Sequence, residues 1–492
     1  MRTNYIIMSL CLSLLAFSAC HDELLNPVPE SSLTNVNFYQ SADDIDQAVL
    51  GIYGQLQLRK PTDYQLLEIG TDNLYMSTNT VIAGIPEVDG LTVSSSNPLV
   101  LTFWQNTYNG VFRANAVLAN IDTPIDYPSG MKEQYVGEAK FMRALFYFDL
   151  VRVFGSVPLV TTPISAEEAT NVGRTDAEAV YQLIIADLTE AVDLLPLKGA
   201  IASGRCNRET ALGLLAKVYV TKNDWQAAKQ TLDRFFTEFG STFSLVENFG
   251  SLWQVATENN AEVLFAMKYT DGTNGHSLST AFIPNAGVPN VVSRGAEIAL
   301  PSWSLHKLFD EEDSRKTATI AEQYVPALSP SDDPIWYPYV SKYAITHTFN
   351  ASGLDLPVLR YADIILLHAE TLNELGQLNA ALSELNKVRV RAFGNTTHNY
   401  TAREVAGQDE FTDVLLKERQ LEFAFENERW FDLVRKEKFV QVLQSEERNY
   451  NPANGQAQVV PLQPAAYMQL FPIPQAEIDL VGSSVLSQNQ GY

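Results

Sequence analysis

From Ala42 onward apolar residues recur at the helical period, with Ile45, Ala48, Val49, Ile52, Tyr53 and Leu56 on one face. Residues 133 to 154 repeat the pattern through Val136, Ala139, Ala144, Tyr147 and Leu150, and Gly155 followed by Pro158 supplies a stop. Between these two helices, residues 86 to 98 are rich in Gly, Ser, Asn and Pro and read as a loop with room for short strands. A more specific spacing occurs twice, 153 residues apart: Ala216, Tyr219, Ala228, Leu232 and Phe235, then Ala369, Leu372, Ala381, Leu385 and Val388. This is tetratricopeptide spacing, in which small residues let two antiparallel helices approach and larger ones fill the seam. Lys222-Asn223-Asp224 and Gly376-Gln377 supply the turns. Two units so far apart cannot form an array alone, so helices at 133–154, 176–195 and 411–436 are expected to complete the scaffold. Residues 240 to 357 break the pattern, with frequent Gly, Pro, Asn and Ser and a helix signal only near 304–311. The expected fold is mainly α: a tetratricopeptide-like helical scaffold with a loop-rich, short-strand insertion at about 240–357.

The N-terminus has a different character. Arg2 precedes an apolar stretch from Tyr5 to Phe17, and Ser18-Ala19 provide small residues for a signal peptidase just before Cys20. That stretch is shorter than the about 20 apolar residues a spanning helix needs, so cleavage is expected. A small pair directly before cysteine resembles the bacterial lipobox, in which the thiol is acylated and becomes the first mature residue; Phe17 stands where Leu is usual. Residues 1–19 then form a lipoprotein signal peptide, Cys20 the lipidation site, 20–40 a polar, proline-bearing tether and 41–492 the body. Asp22-Glu23 resembles a tag for export to the outer leaflet of the outer membrane, and a plain solvated tether explains the same charges.

With Cys11 in the leader and Cys20 acylated, Cys206 is left alone and no intramolecular disulfide can form. Loss of Arg2 with the leader takes the formal charge from −24 to −25. Such a field repels polyanions, which argues against nucleic acid and against polybasic docking on anionic lipid. A neutral ligand fits better, and the 21 tyrosines of a chain that is 10% aromatic offer faces for carbohydrate. Catalytic and phosphate-binding signatures such as G-x-S-x-G, H-E-x-x-H and G-x-x-x-x-G-K are missing. Residues 271–275 resemble the start of a calcium loop but lack its later ligands, so a turn is expected and no metal or cofactor is assigned. Glu418, Glu422 and Glu426, beside Arg419, Arg429, Asp432 and Arg435, read as a salt-bridge lattice rather than a catalytic carboxylate pair. Residues 311–313 read as the cap or solvated end of a helix.

Several stretches, in order, resemble one family. Residues 138–155, from Glu138-Ala139-Lys140-Phe141 through Arg143-Ala144 to Phe154-Gly155, with Val157-Pro158-Leu159 following, resemble the hallmark of the SusD/RagB lipoproteins. So do Gly204-Arg205-Cys206-Asn207-Arg208, Asn223-Asp224-Trp225, the run from Val358 to Glu370, Glu428-Arg429-Trp430-Phe431-Asp432 and Leu470-Phe471-Pro472-Ile473-Pro474. Asn427 replaces a frequent glycine and can still adopt a left-handed backbone. The resemblance implies helical, tetratricopeptide-containing lipoproteins at the outer cell surface that capture a nutrient, most often a glycan. They act as lids over a SusC-like TonB-dependent outer-membrane transporter, which imports what they capture.

In that family the ligand surface is built by loops in the first hundred or so residues and by the central insertion. Here those regions carry Asp72-Asn73-Leu74-Tyr75 and Trp336-Tyr337-Pro338-Tyr339. Asp72, Asn73, Tyr75, Trp336, Tyr337 and Tyr339 are therefore the candidate ligand contacts, since a sugar offers an apolar face to stack and hydroxyls to bond. The last three lie between prolines, where burial in a regular element is not expected. Trp104 and Tyr108 read as core, and Trp303 as a staple at a helix start. The leading reading is a non-catalytic nutrient-binding lipoprotein. Its rivals are a surface glycoside hydrolase, which would need two carboxylates about 5 to 10 Å apart in an aromatic cleft, and a scaffold or peptide-binding subunit of the same import complex.

Overall fold

Ser41 starts the first helix, α1 (Ala42–Arg59), by accepting a hydrogen bond from the Asp44 amide (3.3 Å) while the Asp44 carboxylate accepts one from the Ser41 amide (2.9 Å). Ile45, Val49, Ile52, Tyr53 and Leu56, the face read from the sequence, are all buried. The computed structural model describes residues 38–328 and 333–492. Cys20, the leader and nearly all of the tether lie outside the described residues, among which no helix is long and apolar enough to cross a membrane.

The main helices that follow are α2 (Pro98–Asn120), α3 (Met131–Phe154), α4 (Ala177–Leu194), α5 (Arg208–Thr221), α6 (Trp225–Phe239), α7 (Tyr361–Glu374), α8 (Leu378–Phe393), α9 (Gln408–Glu422) and α10 (Arg429–Arg435). Gly155, at φ 73°, ends α3 where the sequence placed its stop. Residues 86 to 98 contain no strand; Gly84, at φ 91°, leads into a short helix, Ile85–Asp89. The stretch 411–436 is not one helix, because Phe425 (φ 70°) and Asn427 (φ 71°) take left-handed backbones and split it into α9 and α10.

Both tetratricopeptide units form. In α5–α6 the turn places Asn223 at φ 59°, and Asp224 accepts from the Ala227 amide (3.1 Å) to start α6; in α7–α8 the turn residue Gly376 sits at φ 73°. Ala216, Ala228, Leu232 and Phe235, like Ala369, Ala381, Leu385 and Val388, are fully buried. The two units are neighbours in space, since α6 packs on α7, and with α3, α4 and α9 they make one succession of packed helices. The long insertion permits this by leaving and returning at one place. Val263–Met267 and Leu356–Arg360 pair antiparallel, with Val263 opposite Arg360 and Met267 opposite Leu356.

Helix α2 lies so close to α3 that a Cβ on Gly110 would fall 2.3 Å from the Phe146 ring. Gly110→Ala is expected to overpack this seam and lower stability by about 1–3 kcal/mol, measured as a lower urea midpoint at unchanged slope.

The longer strands are β1 (Leu74–Met76), β2 (Val263–Met267), β3 (Ala299–Pro301), β4 (Ile320–Tyr324), β5 (Ile335–Val340), β6 (Leu356–Arg360), β7 (Ser445–Asn451) and β8 (Gln456–Pro461). They pair two by two, antiparallel: β1 with β3, β2 with β6, β4 with β5 and β7 with β8.

Glu418 and Glu422 are buried and Glu426 nearly so, and all three are ion-paired, but not with their neighbours in sequence: Arg419 binds Asp363 and Asp432, Arg429 binds Asp72 and Arg435 binds Asp432, while the lattice around the glutamates draws its cations from elsewhere in the chain. Arg360, at the end of β6, reaches Glu262 (2.6 Å), Glu422 (2.9 Å) and Glu426 (2.8 Å). Arg391 also reaches Glu422 (2.6 Å), Arg315 reaches Glu418 (2.7 Å), and Lys342 reaches Glu426 (2.9 Å). Asp313 belongs to this lattice: it is 3% exposed, accepts from the Arg315 amide (3.0 Å) at the start of the short helix Arg315–Thr319, and is bound by the Arg315 guanidinium (2.7 Å). The lattice ties the insertion to the second tetratricopeptide unit.

Candidate functional site

Strands β1 and β3 align Tyr75 opposite Leu300, which brings the start of the body alongside the insertion. Directly after β3, Ser302 caps a single helical turn, Trp303–His306, by accepting from the Leu305 amide (3.0 Å). The β4–β5 hairpin delivers Trp336 opposite Gln323, and the β7–β8 hairpin delivers Asn449 and Tyr450. These four segments enclose a pocket of about 170 Å³.

Trp303 is the centre of its aromatic wall. Tyr450 lies parallel to it at 3.6 Å and 3°, and His306 nearly parallel at 4.4 Å and 16°. Two rings that close to one indole cannot share a face, so Trp303 is sandwiched and offers a ligand only its edge. Trp336 stands edge-on to Tyr450 at 6.0 Å and donates its Nε1–H to the Tyr450 carbonyl (3.3 Å). Tyr450 and Trp336 are both half-buried, and they carry the aromatic surface left for a ligand.

Polar groups converge on the same pocket. Tyr75 donates to Asn449 Oδ1 (2.9 Å), and Tyr337 donates to Glu297 (2.6 Å). Burial pushes the Tyr75 hydroxyl up to about 12; burial and then the Glu297 carboxylate push that of Tyr337 higher still, so both phenols stay protonated. His306 is 4% exposed and burial lowers its pKa against the pull of Glu322, which keeps it neutral. Its Nε2 lies 3.0 Å from Glu322 Oε1. Among the described residues that line the pocket, none is a carboxylate.

The six sequence-derived residues divide. Tyr75, Trp336 and Tyr337 line the pocket. Asp72 and Asn73 do not: Asp72 accepts from Arg429 (2.7 and 2.8 Å) and Gln420 (3.0 Å), and the fully buried Asn73 donates to Glu68 (2.9 Å) and accepts from Gln420 (2.9 Å). They brace β1 from behind. Tyr339 packs with Ile283, Val288, Val292 and Tyr324 in a small second core. The run between the prolines is a strand after all, and its alternation turns Trp336 and Tyr339 to different surroundings. Trp303, read as a staple at a helix start, does open the turn Trp303–His306 and is also the centre of the aromatic wall; His306, Asn449 and Tyr450, which line the pocket with it, were not singled out from the sequence. Asn454-Gly455, a hairpin-turn pair, was the available signal that 445–461 forms a projecting β-ribbon.

A larger groove of about 490 Å³ runs along α2. Its floor includes Trp104, buried as expected, and Tyr108, whose hydroxyl is taken by the Pro158 carbonyl (2.8 Å). Its lining mixes aliphatic residues with the rings of Trp104, Tyr108 and Phe112, the amides of Gln105, Asn109 and Asn115, and the Glu477 carboxylate. Residues 271–275 form a turn, with the Asp271 carboxylate accepting from the Thr348 amide (2.7 Å).

Comparison with known proteins adds a family context. A family model described as the SusD family matches residues 336–492, and one described as starch-binding associating with outer membrane matches 29–220. SusD-like protein P2 of Formosa agariphila is 26% identical over 453 residues, covering 86% of this chain and 88% of that protein. A SusD-like protein of Bacteroides ovatus is 25% identical over 473 residues, covering 85% and 80%. Among solved structures, a laminarin binding SusD-like protein superposes with a TM-score of 0.76 at 25% identity over 92% of this chain and 100% of that one. Surface glycan-binding protein A from Bacteroides thetaiotaomicron gives 0.76 at 20% identity, over 92% and 100%.

Proposed function

The chain belongs to the SusD/RagB family, and on that premise we propose that it is a cell-surface carbohydrate-binding protein that holds a glycan at the Trp303, Tyr450 and Trp336 pocket and delivers it to a SusC-like TonB-dependent transporter. The observation that carries this reading is the convergence of stacked rings, an exposed amide and three phenols from four separate segments on one open pocket. Sugars need such a combination, since a pyranose offers one apolar face and a rim of hydroxyls. Laminarin binding and surface glycan binding by proteins of the same fold support carbohydrate as the ligand class. Acylation at Cys20, a tether over 20–40 and an outward-facing place in the outer membrane belong to the same proposal. They are supported by the leader, by the small residues before Cys20 and by the outer-membrane association in the description of the matching family model.

Binding without turnover is the reading the pocket favours, because a glycosidase needs two facing carboxylates and the described lining has none. Affinity electrophoresis and calorimetry against neutral polysaccharides, including starch, laminarin, xylan and galactomannan, are expected to show retardation by at least one and release of no reducing sugar. Turnover would overturn the non-catalytic reading. Silence across the panel would favour a scaffold or peptide-binding role.

A further inference from the structure

The β7–β8 hairpin is irregular where it meets the pocket. Arg448 lies opposite Gln458 and Asn451 opposite Gln456, so three steps along β7 answer two along β8, and one extra residue is inserted at Asn449–Tyr450. Asn449 takes a left-handed backbone there, at φ 49°. Strict alternation would aim Tyr450 to the face shared by Glu446 and Arg448. Those two side chains are buried, with Arg448 held between Asp89 (2.8 Å) and Glu446 (2.7 Å). The bulge instead turns Tyr450 parallel to Trp303 at 3.6 Å, and it interrupts the ladder where the Tyr450 carbonyl accepts the Trp336 N–H (3.3 Å).

The Asn449 side chain secures the same bend. Its Oδ1 accepts from the Tyr75 hydroxyl (2.9 Å) and its Nδ2 donates to Gln458 (3.0 Å), which ties β7 to β1 on one side and across the bulge to β8 on the other. Asparagine is one of the few residues with a Cβ that enter the left-handed region readily, because its short polar side chain bonds locally. Asn449 is exposed, so no demand of the core accounts for the conformation. What depends on it is the pocket, where an unfavourable backbone is worth keeping for the geometry it imposes.

We infer that Asn449 is the positioning residue of the pocket: its left-handed backbone sets the Tyr450 ring on Trp303 and the Tyr450 carbonyl on Trp336, so that one residue's φ aligns both rings left for a ligand. The inference rests on the reading that this pocket holds the glycan. It divides the role of Asn449 between the amide that lines the pocket and the backbone that shapes it, and it assigns the larger share to the backbone.

Asn449→Gly and Asn449→Ala test this as a pair, because both lack the amide and only glycine enters the left-handed region without a steric penalty. Position 449 is exposed on a hairpin, so both variants are expected to fold, which thermal melts check. Affinity electrophoresis of the full body with starch, laminarin, xylan and galactomannan identifies the polymers that retard the wild type, and calorimetry on those gives affinities. Asn449→Gly is expected to weaken binding about threefold, through loss of the amide, and Asn449→Ala about tenfold or more. Near-ultraviolet circular dichroism reads the ring stack without any ligand: the part of the spectrum that Tyr450→Ala removes should persist in Asn449→Gly and fall in Asn449→Ala. Equal affinities in the two variants, or a stack signal kept in both, would overturn the inference and leave Asn449 as an amide contact only. Failure of every polymer to bind the wild type would overturn the glycan reading, while the dichroism contrast still decides whether Asn449 sets the stack.

Discussion

Replacement of Arg360 by alanine is expected to lower the stability of the body by about 3–5 kcal/mol, among the largest effects of any single change outside the pocket. Arg360 is almost fully buried and is shared by Glu262, Glu422 and Glu426, which arrive from the strand edge and from the α9 end. Its removal leaves carboxylates inside the protein with fewer cations than the interior requires, and the penalty is that uncompensated charge rather than the lost attraction alone. The loss should depend on pH in a definite direction. Burial alone would raise the Glu422 carboxyl, but Arg391, Arg360 and Arg315 together hold it well below the usual range; Glu426 is likewise held down, against burial, by Arg360 and Lys342. A depressed folded-state value means these groups contribute stability above the ordinary carboxylate range and lose it as pH falls through the folded value. Without Arg360 burial gains the upper hand, protonation eases the variant, and the deficit against wild type narrows from pH 7 toward pH 5. Urea unfolding at both values measures it, and a deficit that stays constant or widens toward acid would refute the argument.

That Glu418, Glu422 and Glu426 would be ion-paired could be read from their four-residue spacing, but their partners could not, because Arg315, Lys342, Arg360 and Arg391 come from the insertion, the end of β6 and α8, and Glu426 lies beyond the end of α9. The tetratricopeptide units were legible for a similar reason, since small and large residues alternate at a fixed period within about 35 residues. Their adjacency was not, because it depends on β2 and β6 closing a long insertion, and each of those strands is only five residues. Strand β5 escaped because it contains Pro338 and follows Pro334; a two-stranded ribbon leaves one edge open, and there a missing N–H breaks no ladder bond. The site itself was half visible. Trp336 and Tyr337 stood out as loop aromatics, but the ring that Trp336 leans on is 114 residues away and Trp303 lies on a third segment. Asp72 and Asn73 had the right chemistry for sugars, and the arginine and glutamine that occupy them come from α9 and α10, far along the chain.

That convergence makes the second large prediction a contrast among three rings. On the proposed reading, Tyr450→Ala is expected to weaken glycan binding by about tenfold or more with little change in melting temperature, because the ring is half-buried on a two-stranded hairpin with one face on Trp303. Trp336→Ala should weaken binding to a similar extent and cost slightly more stability, since its N–H helps hold the hairpin at the Tyr450 carbonyl. Trp303→Ala should do both kinds of damage. With Tyr450 on one face and His306 on the other, its ring has only its edge free for a ligand, yet its loss removes the support on which Tyr450 lies. Calorimetry with the polymer found in the panel, beside thermal melts of the three variants, separates these roles. If Tyr450→Ala binds as tightly as wild type while Trp303→Ala does not, the ligand lies against the indole edge instead, and Tyr450 serves as a cover over Trp303 rather than as the stacking platform.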